Sequence, residues 1–258
     1  RATYANGSEA CSYEWPVRFM VDRPVPMARR IHAVARYRAL AAAALGYEVA
    51  GPPLYALQLV PASVAALAPK TVVLAHGTTR PDNQWPAERW MALARLLIAG
   101  GYRIALPQSS AAELALCEHM ATTLVDSTAR GEVVDTGHHT GFVSSLAAPE
   151  GVARDSGAHG FSSAFSSDAV TVWPRMTLAQ VLDAMAGAAG VIGVDSGLSH
   201  LAVALDLPHV QIFSQPRAWR AGPVGRNHQI AVGGMTAPDA DMVWQAWLAV
   251  SRAVAPQC

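Results

Sequence analysis

From Thr71 onward the chain alternates between short apolar runs and stretches whose apolar residues recur every three or four positions. Thr71-Val-Val-Leu-Ala75 is almost wholly apolar, the mark of a buried strand. A polar loop from His76 to Trp85 follows. Pro86 suits the first turn of a helix whose apolar face is Trp90, Leu93, Ala94 and Leu97. Gly100-Gly101 stops that helix, and Tyr102 to Leu106 reads as the second strand. A helix over about 111–124 and a short strand at 132–134 come next. Val170 to Trp173 is another strand, followed by a helix with Leu178, Val181, Leu182 and Met185 on one face. A strand at 190–194, a last strand at His209 to Phe213 and a helix over about 240–254 complete the series. Alternation of this kind predicts an α/β protein: a parallel sheet with helices on both faces, Rossmann-like.

Two segments stand outside this pattern. Residues 136–168 are rich in Gly, Ser, Ala and His without any period, which predicts a surface insertion. In the first seventy residues, 1–26 carry little pattern, and Pro24 and Pro26 lead into a helix over about 27–45 closed by Gly46. Gly51-Pro52-Pro53, Pro61 and Pro69 make 47–70 a linker with a brief strand at 54–60. The expected organisation is an N-terminal piece over 1–70, a sheet domain over 71–238 and a C-terminal helix over 239–258. Arg29, Arg30, Arg36 and Arg38 make the first helix basic. A solvated face accounts for them; contact with an anionic acceptor or a membrane surface is the alternative.

With 258 residues, 52% of them hydrophobic and 15% charged, the chain can bury a sizeable core. Its formal net charge of zero points to no nucleic-acid partner. No apolar run reaches the length of a membrane span without interruption. Cys11, Cys117 and Cys258 show neither metal spacing nor an even count, which suits a reducing compartment. Arg1 stands in polar sequence with no initiator Met and no signal peptide, so a fragment or truncated product is expected.

The chemistry concentrates in Gly190-Val-Ile-Gly-Val-Asp195-Ser-Gly-Leu-Ser-His200-Leu-Ala-Val-Ala-Leu205. An apolar run breaks at Asp195-Ser196-Gly197 and resumes at helical spacing. A strand entering a helix there gathers backbone N–H groups, a hydroxyl and a carboxylate at the carboxyl edge of a sheet, where phosphate binds readily. Simple N-capping by Asp195 or Ser196 is the plainer explanation. Glu113, just after the second strand, can reach a ribose hydroxyl or can simply begin its helix. Asp239-Ala-Asp241 imitates a metal motif but reads as a helix cap, and His138, His139 and His159 are too irregularly spaced for a metal site. A glycine-rich dinucleotide fingerprint and a Walker A loop are both absent, which argues against a nicotinamide enzyme.

His76-Gly-Thr-Thr79-Arg-Pro-Asp-Asn-Gln-Trp85-Pro86 with Trp90, Trp173-Pro-Arg-Met176-Thr-Leu178, and Val194-Asp-Ser-Gly-Leu-Ser-His200-Leu201 together resemble the lipopolysaccharide heptosyltransferases of glycosyltransferase family 9. The order of these stretches, and Gly46-Tyr47 after the basic helix, is similar too. The resemblance spans about 27–215 outside the insertion. It implies a GT-B enzyme, two Rossmann-like domains across a cleft, with the C-terminal one holding ADP-heptose. Donor contacts implied are Thr78, Thr79, Glu113, Met176, Asp195, Ser196, Gly197 and His200. In that arrangement the Thr78 and Thr79 hydroxyls, with the N–H groups at 196–198, stabilise the leaving pyrophosphate. Glu113 holds the ribose, Met176 packs near the adenine, Asp195 meets heptose hydroxyls or orients a neighbour, and His200 donates to phosphate. The resemblance further implies inverting transfer from ADP-L-glycero-D-manno-heptose to Kdo on lipid A, without metal or cofactor, at the cytoplasmic face of the inner membrane.

Two departures stand out. Asn83 occupies the place of a family Lys, so the pyrophosphate site lacks one charge unless Arg80 compensates. The family's acceptor site and catalytic carboxylate are expected ahead of Arg1, which leaves the catalytic base unknown. Glu9, Glu14, Asp22 and Glu48 do not stand in a matching context, although Asp22 beside Arg23 is an alternative base. A heptosyltransferase and a non-catalytic ADP-sugar-binding domain are therefore the two classes of function to be weighed.

Overall fold

The computed structural model describes residues 1–5, 19–55, 57, 67–129 and 165–254. Its main body is a seven-stranded sheet. Strands β3 (Thr71–Ala75), β4 (Arg103–Leu106) and β6 (Val170–Val172) run to one side, and β7 (Gly190–Val194), β8 (His209–Phe213) and β9 (Gln229–Gly233) to the other. All neighbours among these six pair in parallel, and the short β5 (Phe165–Ser166) adds antiparallel to β6. The spatial order β5-β6-β4-β3-β7-β8-β9 places the first strand of the series between β4 and β7, so chain direction reverses there. That is the doubly wound Rossmann-like arrangement, whose ligand crevice lies at the carboxyl ends of the two strands flanking the reversal.

Alternation along the buried strands sorts the core into two layers. On one face Val72, Leu74, Ile104, Leu106, Ile192 and Val210 meet α2 (Ala87–Ala99), α3 (Ala111–Ala129) and α7 (Ala240–Val254). On the other, Val73, Ala75, Ala105 and Val191 meet α4 (Leu178–Ala186) and α5 (Gly197–Ala204). Trp90, Leu93, Ala94 and Leu97 of α2 are all buried, as their spacing requires. On α7, Val243, Trp247 and Val250 form a full inward stripe, so this helix belongs to the sheet domain.

The N-terminal segment is smaller. Strands β1 (Ala2–Tyr4) and β2 (Arg23–Val25) pair in parallel beside α1 (Ala33–Leu45). Helix α1 touches the short α6 (Ala218–Ala221) of the sheet domain. There His32 accepts from the Val34 N–H through Nδ1 (3.3 Å), and its Nε2 donates to Gly222 O at 2.9 Å. Arg30 lies over the Trp219 ring, 5.7 Å from its centre.

Several expectations change. The last strand is β9 rather than β8; pairing on one side only, it carries Gln229 and an exposed Ala231 in place of an apolar run. The first helix starts at Ala33, after a turn in which Arg30 has φ 55°, instead of near 27. Its arginines are partly committed: Arg36 is buried, 5.2 Å from the Tyr4 and Tyr37 ring centres, and Arg38 donates to Ala50 O and Gly51 O. Leu178 is 63% exposed because it is the first residue of α4, outside the buried stripe. Phe165 and Ser166, assigned to the insertion, join the sheet. Leu54, Tyr55 and Leu57 form no strand; the rest of that stretch, residues 132–134 and 136–164 lie outside the described residues. Among the described residues no helix is long and apolar enough to cross a membrane.

Candidate functional site

The loops leaving β3 and β7 meet at the sheet's reversal point. Three positions shape the turn there. Gly193 pairs beside Ala75, and a side chain at 193 would collide with the Ser199 hydroxyl and the Ala75 methyl. Ser199 is fully buried and donates to Val194 O at 2.6 Å, which locks the strand-to-helix turn. Gly197 opens α5 with clear space around its Cα, so its backbone can be approached.

Capping does not explain Asp195 and Ser196. The N-cap residue Ser196 makes no side-chain bond to the first turn of α5, and its Oγ meets no partner among the described residues. Asp195 is held instead by side chains from three directions. Asn83 Nδ2 donates to its Oδ2 (3.2 Å) and backbone O (3.3 Å), Gln211 Nε2 donates to Oδ1 (3.3 Å), and His200 Nε2 lies 3.5 Å from Oδ1. Thr78 also donates to Asp195 O (3.4 Å), while its oxygen accepts from the Arg80 N–H. The Thr78 hydroxyl proton is therefore already committed to the chain. Thr79 is exposed at the same rim.

Around these groups lies a cavity of about 340 Å³. Seven of the eight expected residues line it: Thr78, Thr79, Glu113, Asp195, Ser196, Gly197 and His200. Met176 does not; it is half-buried against the core layer on the α4–α5 face. Glu113 reaches in from the first turn of α3, where Ser110 Oγ accepts from its N–H and its Oε2 accepts from the N–H and hydroxyl of Ser109, each at 2.7 Å. Glu113 thus braces the start of its helix and also lines the cavity.

The lining also includes Arg80, Asn83 and Ser109. Arg80 forms a two-point pair with Asp82 (3.0 and 2.8 Å), and Arg217 reaches the same carboxylate at 3.1 Å. The Arg80 bond holds the Asp82 carboxyl below the usual carboxylate range. Asn83, read from the sequence as a lost charge, is 4% exposed and serves as the main tether of Asp195. Gln211 was missed altogether. A polar residue inside the buried strand His209-Val-Gln-Ile-Phe213 is a signal that could have found it.

A second cavity of about 440 Å³ adjoins the first through Gly77, Thr78 and Glu113, and runs beneath Trp85 and Trp90. These rings meet edge to face, 4.8 Å apart, and Trp85 Nε1 donates to Pro238 O. His76 lines this cavity with its Nε2 3.0 Å from Cys117 Sγ. Burial lowers the His76 pKa and pushes the Cys117 thiol up to about 12, so the imidazole stays neutral and the thiol protonated near neutrality. That pair is structural, since the reactive form of a cysteine is the thiolate. Asp239 Oδ1 accepts from the Met242 N–H at 2.8 Å, the helix-capping role expected of it. His138, His139 and His159 lie outside the described residues; among those described, no three His, Cys, Asp or Glu side chains gather in a metal-binding group. Glu9 and Glu14 are also outside, and Asp22 pairs with the Arg1 amino group at 2.8 Å.

The family model for glycosyltransferase family 9 (heptosyltransferase) matches residues 3–130 and 131–245. Lipopolysaccharide heptosyltransferase 1 of Salmonella typhimurium is 31% identical over 209 residues, covering 80% of this chain and 52% of that protein. The Escherichia coli protein of the same name is 30% identical over 212 residues, covering 81% of this chain and 53% of its own length. The chain thus spans about half the length of the curated relatives it matches. Among solved structures, E. coli heptosyltransferase WaaC with ADP superposes with a TM-score of 0.61 at 26% identity, over 91% of this chain and 62% of that one. A glycosyl transferase family 9 structure from Veillonella parvula shares the fold, with a TM-score of 0.58 at 14% identity. The chain belongs to glycosyltransferase family 9, the heptosyltransferase family.

Proposed function

We propose that the cavity between the β3 and β7 loops binds an ADP-sugar, and that the protein transfers heptose in lipopolysaccharide synthesis. The donor we propose is ADP-L-glycero-D-manno-heptose and the acceptor Kdo on lipid A, met at the cytoplasmic face of the inner membrane; a Kdo hydroxyl displaces ADP from the heptose anomeric carbon, with inversion there and loss of the hydroxyl proton. One observation carries this reading: seven residues, spread from Thr78 to His200, converge on a single polar cavity at the crevice where this fold takes ligands. The relative solved with ADP supports the nucleotide.

In this reading the diphosphate lies against the first turn of α5, where uncapped N–H groups and the helix dipole favour negative charge. Thr79 and His200 donate to it. Charge grows on this group as the glycosidic bond breaks, so donors already fixed in place lower the barrier. Asp195, held by Asn83 and Gln211, keeps its carboxylate turned toward a sugar hydroxyl or toward His200. Glu113 takes the ribose. Met176 follows β6 at the same edge of the sheet, on the β4 side, where the adenine would extend.

Titration calorimetry with ADP and UDP tests this reading. ADP should bind more tightly. His200→Ala, at a half-exposed position, should cost about 1.5–3 kcal/mol of ADP binding while the thermal melt stays put. UDP affinity equal to or above that of ADP would reject the adenine assignment.

A further inference from the structure

The charge balance of the cavity poses a problem for a diphosphate. Two carboxylates, Glu113 and Asp195, line it, and Arg80 is the one Lys or Arg among its described lining residues. Arg80 by itself contributes little net field, because Asp82 grips it at two points and the pair is neutral at a distance. What alters this is a residue from another part of the chain. Arg217, at the N-terminus of α6 in the segment after β8, brings Nη2 to 3.1 Å from Asp82 Oδ2. Asp82 sits between two guanidinium groups, and the trio carries a net positive charge at the cavity rim.

We propose that Arg217 is a positioning residue for donor binding: by sharing Asp82 it restores the positive charge that Asp82 cancels and holds Arg80 against the diphosphate. The geometry favours holding over direct contact. Arg217 does not line the cavity, whereas Arg80 does. Arg80 Nε and Nη2 are both committed to Asp82, which leaves Nη1 to face a ligand in a fixed orientation. Without Arg217 the Arg80 side chain, 54% exposed, would keep one partner and lose the charge behind it. The same segment carries the contacts of α6 with α1, through Gly222 and Trp219, so the brace for the phosphate rim stands where the N-terminal segment rests.

The inference rests on the ADP-sugar reading, and its test separates the two. The full 258-residue chain is titrated with ADP, adenosine and inorganic pyrophosphate, alongside R80A, R217A, R217K and the R80A/R217A double variant. R80A should weaken ADP and pyrophosphate about tenfold and R217A about threefold, the range of a charge-assisted hydrogen bond and of a partly exposed ion pair. The loss in the double variant should fall well short of the product of the two single losses, because Arg217 acts in part through Arg80. R217K should recover most of the loss, and adenosine affinity should not move. Unchanged ADP and pyrophosphate binding in R217A overturns the proposal. So does a loss that multiplies in the double variant, which would mean Arg217 meets the ligand itself, or a matching loss for adenosine. If the parent binds pyrophosphate and not ADP, the nucleotide reading falls and R217A still decides the brace; if it binds neither, both fall.

Discussion

Residues 71–254 and residues 1–57 of the same chain are held together on different terms. In the first, every residue of β3, β7 and β8 is buried, and Trp90, Trp173 and Trp247 are almost inaccessible. In the second, the buried described side chains are Val25, Arg36 and Ala42, while Phe19, Tyr37, Leu45, Tyr47 and Leu54 stay exposed. Apolar burial grows with the area removed from water, so the sheet domain draws its stability from a shared interior. The N-terminal segment depends on a few directional contacts: Arg36 on two tyrosine rings, His32 to Gly222 and Arg30 over Trp219. The candidate site sits wholly on the first kind of support. Its side chains can be held in place because the strands beneath them cannot shift.

Core truncation offers the hardest test of this contrast. Trp247→Ala removes a ring packed on Tyr102, with centres 5.5 Å apart, and should cost about 3 kcal/mol or more in urea denaturation. A cost below about 1 kcal/mol would mean the interior is not shared as described.

Acid should act almost as strongly, and on the same region. His209 Nδ1 donates to Val191 O at 2.9 Å, and its buried Nε2 meets no partner among the described residues. Burial pulls this imidazole from 6.5 down to about 4. The folded state therefore binds fewer protons than the unfolded chain between those values. Its contribution to stability is complete above pH 6.5, is lost as pH falls toward 4, and changes no further below that. The lost amount is about 3 kcal/mol on the linkage scale. Denaturation midpoints measured from pH 7 to 4 should follow this fall, and His209→Asn should flatten it. An unaltered slope in that variant would assign the acid sensitivity elsewhere.

The smallest effect belongs to the other region. Leu45→Ala, at a position 78% exposed, should change stability by no more than about 0.5 kcal/mol and leave ADP affinity alone. A loss comparable to that of Trp247→Ala would erase the distinction between the two regions.

Much of the sheet domain was legible in the residues alone. Thr71–Ala75, Val191–Val194 and His209–Phe213 are short apolar runs because both faces of a parallel strand are covered, and covered strands leave an unbroken signal. Strand β9 escaped notice because an edge strand needs only one apolar face. The first turns of the N-terminal segment did so because Pro26 and the positive φ of Arg30 set the helix start later than composition suggests. At the site, the residues Thr78, Thr79, Glu113, Asp195, Ser196, Gly197 and His200 could be named from motif and resemblance, and the fold brings them to one cavity. Met176 could be named too, and it lies outside that cavity, half-buried against the α4–α5 layer.

Local sequence determined which stretches become strands and helices, since period and chain breakers act within a few residues. It also determined that a strand ends in Asp195-Ser196-Gly197 with open N–H groups beyond. Only the tertiary structure decided what those groups face. Asn83 lies 112 residues from Asp195 and Gln211 lies 16, and neither spacing has a period that could announce a contact. The strand order decided it: β3 and β7 become neighbours across the reversal, β8 follows β7, and three loops distant in the chain meet at one edge. The Arg80–Asp82–Arg217 group arises in the same way, because such contacts depend on which strands pair, and pairing is settled by burying the whole sheet at once.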